Sequence, residues 1–204
     1  MKFIVIILCS VIICTITGEL QAQIQWLKDP ANPVALNGAS GTWNRDVFNP
    51  FVIFNEDSVR YEMWFSAYNG DLPYRIGFAV SKDGSNWVLA HNSPVLSPAP
   101  GAWDSGGVFS PMVIREGGQY KMWYGGGTDF YNKIGYATSP DGINWTKYAG
   151  NPIIVPDALW ELDATSNHFV MHSSIGYQMW YAGGVSNAGG TGGIGYATSV
   201  DRLS

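Results

Sequence analysis

Sixteen carboxylates and three histidines carry most of the acid–base capacity of this 204-residue chain. Two histidines, His168 and His172, are four residues apart in a run of extended type. On a strand that spacing is about 13 Å at ~3.3 Å per residue, too far for one metal ion. No metal site is read from the sequence, and no cofactor is implied. No phosphate-binding glycine loop stands between a strand and a helix. The acids are more suggestive. Asp104 and Glu161 each follow a tryptophan, Asp46 stands beside Arg45, and Asp163 and His168 break an internal repeat that otherwise holds. A carboxyl group positioned to give or take a proton is an ordinary general acid or base. Whether any of these can act so depends on what positions them.

The positioning elements are written as a refrain. "RYEMWFSAY" (60–68), "QYKMWYGGG" (119–127) and "GYQMWYAGG" (176–184) repeat Tyr-x-Met-Trp-aromatic. Trp43, Trp103 and Trp160 open three units spaced 60 and 57 residues apart. Each unit continues with "VFNPFVIF", "VFSPMVIR" or "TSNHFVMH", then a polar turn, the refrain, a variable loop and "RIGFAVSKDGSNW", "KIGYATSPDGINW" or "GIGYATSVDRLS". A short "SPVL" or "NPII" run leads to the next opening tryptophan. These are four short strands per unit, rich in β-branched and aromatic residues and divided by turn signals. Repetition at this period without helix predicts an all-β fold, a β-propeller of four-stranded antiparallel blades. The refrain is expected to pack blade on blade. Asp83-Gly84 and Asp141-Gly142 are expected to be structural turns, because Asp-Gly suits a positive φ.

Composition narrows the functional classes. Only 13% of residues are charged and the net charge is −5, which speaks against a nucleic-acid binder needing basic footing on phosphates. The opening "MKFIVIILCSVIICTITGELQAQ" reads as a secretory signal peptide over 1–22, too short in its apolar run to span a bilayer. Both cysteines, Cys9 and Cys14, lie within it. The mature chain, 23–204, is therefore expected to be secreted or periplasmic, free of disulfides and off the membrane. "WLKDPANPVAL" (26–36) matches "WTKYAGNPIIV" (145–155) and is expected to be a lone outermost strand. Three units fall short of the four to eight blades of a closed ring. The expectation is an incomplete propeller of five-bladed type, truncated after Ser204, whose full-length form is a monomer.

The pattern W…V-F-N-P, the I-G-x-A-x-S-x-D-G turn and the N-P-[VI] run resemble the repeats of five-bladed propeller glycosidases. That group holds family 43 arabinanases and xylosidases, family 32 invertases and family 130 mannoside phosphorylases, and the likeness is nearest to family 130. It covers the whole mature chain. The resemblance implies a carbohydrate substrate, and a glycoside hydrolase acting on polysaccharide or oligosaccharide at the propeller funnel. The alternatives are a non-catalytic glycan-binding propeller or an inactive fragment. Propeller topology sends Asp46, Asp71, Asp104, Asp129, Glu161 and Asp163 to the funnel face, and Glu56, Asp57, Glu116, Asp83 and Asp141 to the other. Glycoside hydrolysis ordinarily uses two carboxylates. The candidate catalytic residues are Asp46, Asp163, Asp104 and Glu161, the last two sharing a repeated position that suits a turn role. Relatives carry acids at the starts of inner strands, where this chain has Asn49, Ser110 and Asn167, and the Glu-Asp-Pro-Arg signature of family 130 is not found in the second unit. Asn49, Ser110, Asn167 and His168 are candidate sugar-binding residues, with Tyr68 and Tyr131 as stacking rings alongside Tyr74 and Phe130.

Overall fold

The computed structural model describes residues 26–34, 37–71, 73–128, 131–184 and 192–199. The proposed signal peptide lies outside them, as do Asp129, Phe130 and the last five residues. The chain divides into two units at Asn32 and Pro33. Of the first unit, residues 26–32 are irregular, with the Ala31 N–H bonded to the Asp29 carboxylate at 2.8 Å. The expected outer strand over 26–36 is therefore not formed where it is described, through residue 34. A strand exists only through its ladder, and no described residue pairs with that segment.

The second unit is all β. Strands β1 (Asp46–Asn55), β2 (Arg60–Tyr68), β3 (Arg75–Ser81) and β4 (Val88–Leu89) make one antiparallel sheet in that order. Strands β5 (Gly107–Glu116), β6 (Gln119–Thr128), β7 (Tyr131–Ser139) and β8 (Thr146–Lys147) make a second, and β9 (Thr165–Ser173), β10 (Gly176–Gly183) and β11 (Gly193–Ser199) a third. The fourth strand is broken rather than continuous. Val88 and Leu89 pair with β3, the chain then loops out, and Leu96 returns to bridge Ile76 on the same edge. Ile154 repeats that return against Ile134.

The refrain is the interior. Trp64, fully buried, stacks on Phe78 with centroids 4.8 Å apart, while its Nε1–H donates to the Gly142 carbonyl of the next sheet at 2.9 Å. Sheet 2 covers it with Met122, Tyr124 and Ala137, and sheet 3 covers Trp123 in the same way with Met179, Tyr181 and Ala197. The opening tryptophans lie flat beside the aromatic residue after each refrain Trp: Trp43 on Phe65, Trp103 on Tyr124 and Trp160 on Tyr181, at 6.3, 5.8 and 6.0 Å. This explains the glycine of the I-G-x-A motif. A Cβ at Gly77 would stand 2.4 Å from the Phe65 ring and 2.7 Å from Trp43, and at Gly135 2.6 Å from Trp103. The rings need that bare backbone to approach.

The Asp-Gly turns lie at the far end from the strand starts. Gly84 and Gly142 have φ of 81° and 76°. The Asp141 carboxylate accepts from the Ile143 and Asn144 N–H groups and from the Asn144 side chain, and the Trp145 indole closes on the Gly142 carbonyl.

Candidate functional site

Strand pairing sorts the acids. Asp46 is opposite Tyr68, so the starts of β1, β5 and β9 share one end of their sheets with the β2–β3 and β6–β7 connections. Asp46, Asp71, Asp104, Glu161 and Asp163 stand at that end, and Glu56, Asp57, Asp83, Glu116 and Asp141 at the other.

The most distinctive backbone feature lies two or three residues into each inner strand. Asn49, Ser110 and Asn167 have φ of 49°, 49° and 47°. In each case the ladder slips: residues 49–50 face Phe65 alone, 110–111 face Tyr124, and 167–168 face Tyr181. These are β-bulges with the extra residue in the left-handed region. An asparagine tolerates that region and a serine less well, each at a cost of order 1–3 kcal/mol. The bulge also releases the following residue from the ladder, which is why proline fits at 50 and 111. It brings two neutral hydrogen-bonding side chains, Asn49 and Ser110, into contact across neighbouring sheets. Asn49 Nδ2 donates to Ser110 Oγ at 2.9 Å, and the Ser110 N–H donates to Ser66 Oγ at 2.8 Å. The three bulges line one concavity of about 300 Å³ with Pro50, Pro111 and His168.

His168 is buried, with only the Trp123 backbone near its ring nitrogens and no hydrogen bond of good geometry to them among the described residues. Burial, partly offset by the Trp123 backbone, lowers its pKa to about 4, so the ring is neutral at ordinary pH. Asp163 precedes β9 beside Leu162, itself at φ 51°, and its Oδ1 is buried without a partner among the described residues. A buried acceptor left unpaired is costly and calls for an explanation. Asp46 is different: half-exposed, it accepts from Arg45 Nη2 at 2.6 Å and Nε at 3.0 Å.

Asp104 and Glu161 are engaged in holding turns. Glu161 accepts from the Asp157 and Ala158 N–H groups at 2.8 Å and from the Tyr181 hydroxyl at 2.7 Å. Desolvation opposes its ionisation, but the Tyr181 and backbone donors prevail and hold its pKa below the usual carboxylate range. Asp104 accepts from the Ala99 N–H and from Lys147, and Asn44 occupies the corresponding buried position in the first unit. The repetition after each opening tryptophan thus fastens the loop that enters each sheet.

Tyr68 and Tyr74 stand at the same end, 5.0 Å apart, with the Arg45 guanidinium 5.9 Å over the Tyr68 ring. The edges of Phe48 and Phe109 meet Tyr74 at 5.8 and 6.0 Å. Phe48, next to Asn49 and 38% exposed, is a ring sequence reasoning passed over. Its signal was the repeated Phe-x-Pro, read for proline rather than for phenylalanine. Tyr131 is described in backbone only, as the first residue of β7.

The model of the β-1,4-mannooligosaccharide phosphorylase family, glycoside hydrolase family 130, matches residues 30–185. The chain belongs to family 130. As a family 130 member it is 29% identical over 165 residues to an uncharacterized protein of Mycobacterium tuberculosis, covering 74% of this chain and 53% of that one. It is 26% identical over 113 residues to the β-1,2-mannobiose phosphorylase of a Thermoanaerobacter species, covering 44% and 37%. A solved structure of a glycoside hydrolase superposes with a TM-score of 0.68 at 23% identity, covering 84% of this chain and 51% of that one. The fold of that glycoside hydrolase is thus shared, and the chain spans about half the length of these two relatives.

Proposed function

We propose that this chain is part of a secreted or periplasmic glycoside hydrolase of a five-bladed propeller, acting on mannose-containing oligosaccharides at the end where the inner strands begin. The supporting observation is the convergence of three strained bulges, carrying Asn49, Ser110 and Asn167, on one concavity at the acid-bearing end. Strain held at equivalent positions in three repeats is a hypothesis of function. Neutral amides and a hydroxyl suit sugar hydroxyls, and Phe48 offers a ring for stacking. Asp163 is the preferred proton donor because its buried orphan oxygen lacks a protein partner. In the reaction, the acid protonates the glycosidic oxygen, the bond from the anomeric carbon breaks, and water attacks that carbon with loss of its proton to a base, for which Asp46 is the candidate. In phosphorolysis inorganic phosphate takes the place of water.

The test is incubation of the full-length protein with β-1,2- and β-1,4-mannooligosaccharides, with and without phosphate. Free mannose supports the hydrolase, and mannose 1-phosphate appearing only with phosphate replaces it with a phosphorylase. Turnover of arabinan, xylan or fructan oligosaccharides instead would overturn the mannoside reading. A second reading, a non-catalytic glycan-binding propeller, draws support from the neutral residues at all three inner-strand positions. Saturable mannan binding without product would establish it.

A further inference from the structure

The carboxylates at the inner-strand end differ in how many of their oxygens are tied. Asp104 accepts on Oδ1 from the Ala99 N–H and on Oδ2 from Lys147. Glu161 accepts on Oε2 from the Asp157 and Ala158 N–H groups and on Oε1 from the Tyr181 hydroxyl. Asp46 is held by one oxygen. The Arg45 Nε–H and Nη2–H groups both donate to its Oδ2, at 3.0 and 2.6 Å, and its Oδ1 accepts no hydrogen bond among the described residues. The carboxylate is thus fixed in place with its second oxygen untied, on a side chain that is 51% exposed. Asp71, in the β2–β3 connection, has no such anchor: its N–H is tied to Asn69 Oδ1, and its carboxylate accepts no hydrogen bond among the described residues.

Arg45 is itself lodged in a cradle. Its guanidinium carbon stands 5.9 Å over the Tyr68 ring, a cation–π contact. Its Nη1 lies against Gly70, where an added Cβ would be 2.4 Å away, so the bare backbone of Gly70, at φ 104°, makes the room. The Tyr68 hydroxyl donates to the Gly70 carbonyl and ties the ring to the loop. An ion pair this exposed adds little to stability. A planar fork seated on a ring and a loop is instead a rigid holder, because little of its freedom remains to be lost when it grips an oxygen. The device also breaks the repeat: two residues after the opening tryptophan, the second and third units have Ser105 and Leu162 where the first has Arg45. A sheet of this kind therefore folds without it.

We propose that Arg45 is a positioning residue, holding Asp46 by Oδ2 so that Oδ1 takes the proton of the attacking water. The proposal rests on the hydrolase reading above, with Asp46 as its base. As the proton passes to Oδ1, the water oxygen bonds to the anomeric carbon and the bond to the glycosidic oxygen breaks, that oxygen taking its proton from the acid. Arg45 acts through Asp46 rather than on the sugar, so its loss misaims the base without weakening binding. A misplacement of ~1 Å costs about 100-fold in rate. In the full-length protein, Arg45→Ser, which installs the residue of the second unit, should lower kcat by ~10–100-fold on the mannooligosaccharide the wild type hydrolyses, with KM within about twofold. Methylguanidinium added to that variant should restore part of kcat by entering the slot between Tyr68 and Gly70, and Arg45→Lys should restore part of it as a point charge. A merely structural arginine would not answer to the added ion. Near-UV circular dichroism checks the fold, and Arg45→Gln set against Arg45→Lys carries the comparison if Arg45→Ser does not fold. Undiminished kcat in Arg45→Ser overturns the proposal, as does a rise in KM at unchanged kcat, which would make Arg45 a substrate contact. Asp46→Asn tells this failure from failure of the reading beneath it. Full activity in Asp46→Asn removes the base and the proposal together, whereas an inactive Asp46→Asn beside a fully active Arg45→Ser overturns the role of Arg45 alone. Mannose 1-phosphate as the product removes the attacking water, and the proposal with it.

Discussion

Trp64→Ala tests the packing role of the refrain most directly when set beside the same change at Trp180. Trp64 is fully buried between sheets 1 and 2, against Phe78, Tyr120 and Trp145, with its indole N–H on the Gly142 carbonyl. Removing a buried tryptophan side chain costs about 3–5 kcal/mol. The Gly142 carbonyl keeps the Trp145 indole as a donor, so no unpaired acceptor is added. The expected loss is therefore about 3–5 kcal/mol, a large fraction of the stability of an ordinary domain. Trp180 occupies the same place in the motif but only half-buried, on the uncovered face, with Tyr196 at 5.2 Å as its ring neighbour. Its truncation is expected to cost about 1–2 kcal/mol, since much of its area is already in water. The assay is urea unfolding followed by far-UV circular dichroism. Equal losses at the two positions would refute the reasoning, because a motif that stabilised within its own hairpin would not distinguish covered from uncovered sheets.

Three other expectations follow from the geometry. Glu62 is fully buried, accepting from Asn55, Arg60 and the Tyr120 hydroxyl, so Glu62→Leu should cost about 2 kcal/mol by depriving the buried Asn55 and Tyr120 donors of their acceptor, and a neutral outcome in the same urea assay would show the network to be dispensable. Asp141 pays a desolvation penalty, but donors from Asn144, Ile143 and Ser139 outweigh it and lower its pKa to about 2. A depressed folded pKa contributes stability above the unfolded value near 3.9 that is lost as pH falls toward 2, so Asp141→Asn should flatten the decline in Tm between pH 4 and 2, and an unchanged slope would remove this turn from the acid response. Asp163→Asn and Asp46→Asn should each lower mannooligosaccharide turnover by at least ~100-fold with the urea midpoint little changed, as expected for loss of a general acid or base, and full activity in both would take these residues out of the reaction.

Much of the architecture could be read from spacing. The opening tryptophans and the refrain predicted three units of antiparallel strands, because a repeated pattern of alternating side chains specifies the same pleated sheet each time. The Asp-Gly turns were legible for the same local reason: the side chain caps the turn and the glycine takes the positive φ. The broken fourth strand and the irregular 26–34 segment were not, because an outer strand depends on the partner it finds rather than on its own residues. The site was legible only in part. Sequence could place Asn49, Ser110 and Asn167 at equivalent positions, and topology could sort the acids to one end, since both follow from chain order. That Asn49 meets Ser110 and shares a concavity with Asn167 rests on the bulges, and a bulge is a property of two strands together. That Asp104 and Glu161 fasten turns while Asp163 keeps an oxygen unpaired depends on donors brought from far along the chain, Lys147 and Tyr181 among them. The sequence by itself therefore determined the repeat and the family, whereas the division of like carboxylates into anchored and unanchored was decided by the packing of the sheets, which alone brings those donors within hydrogen-bonding reach.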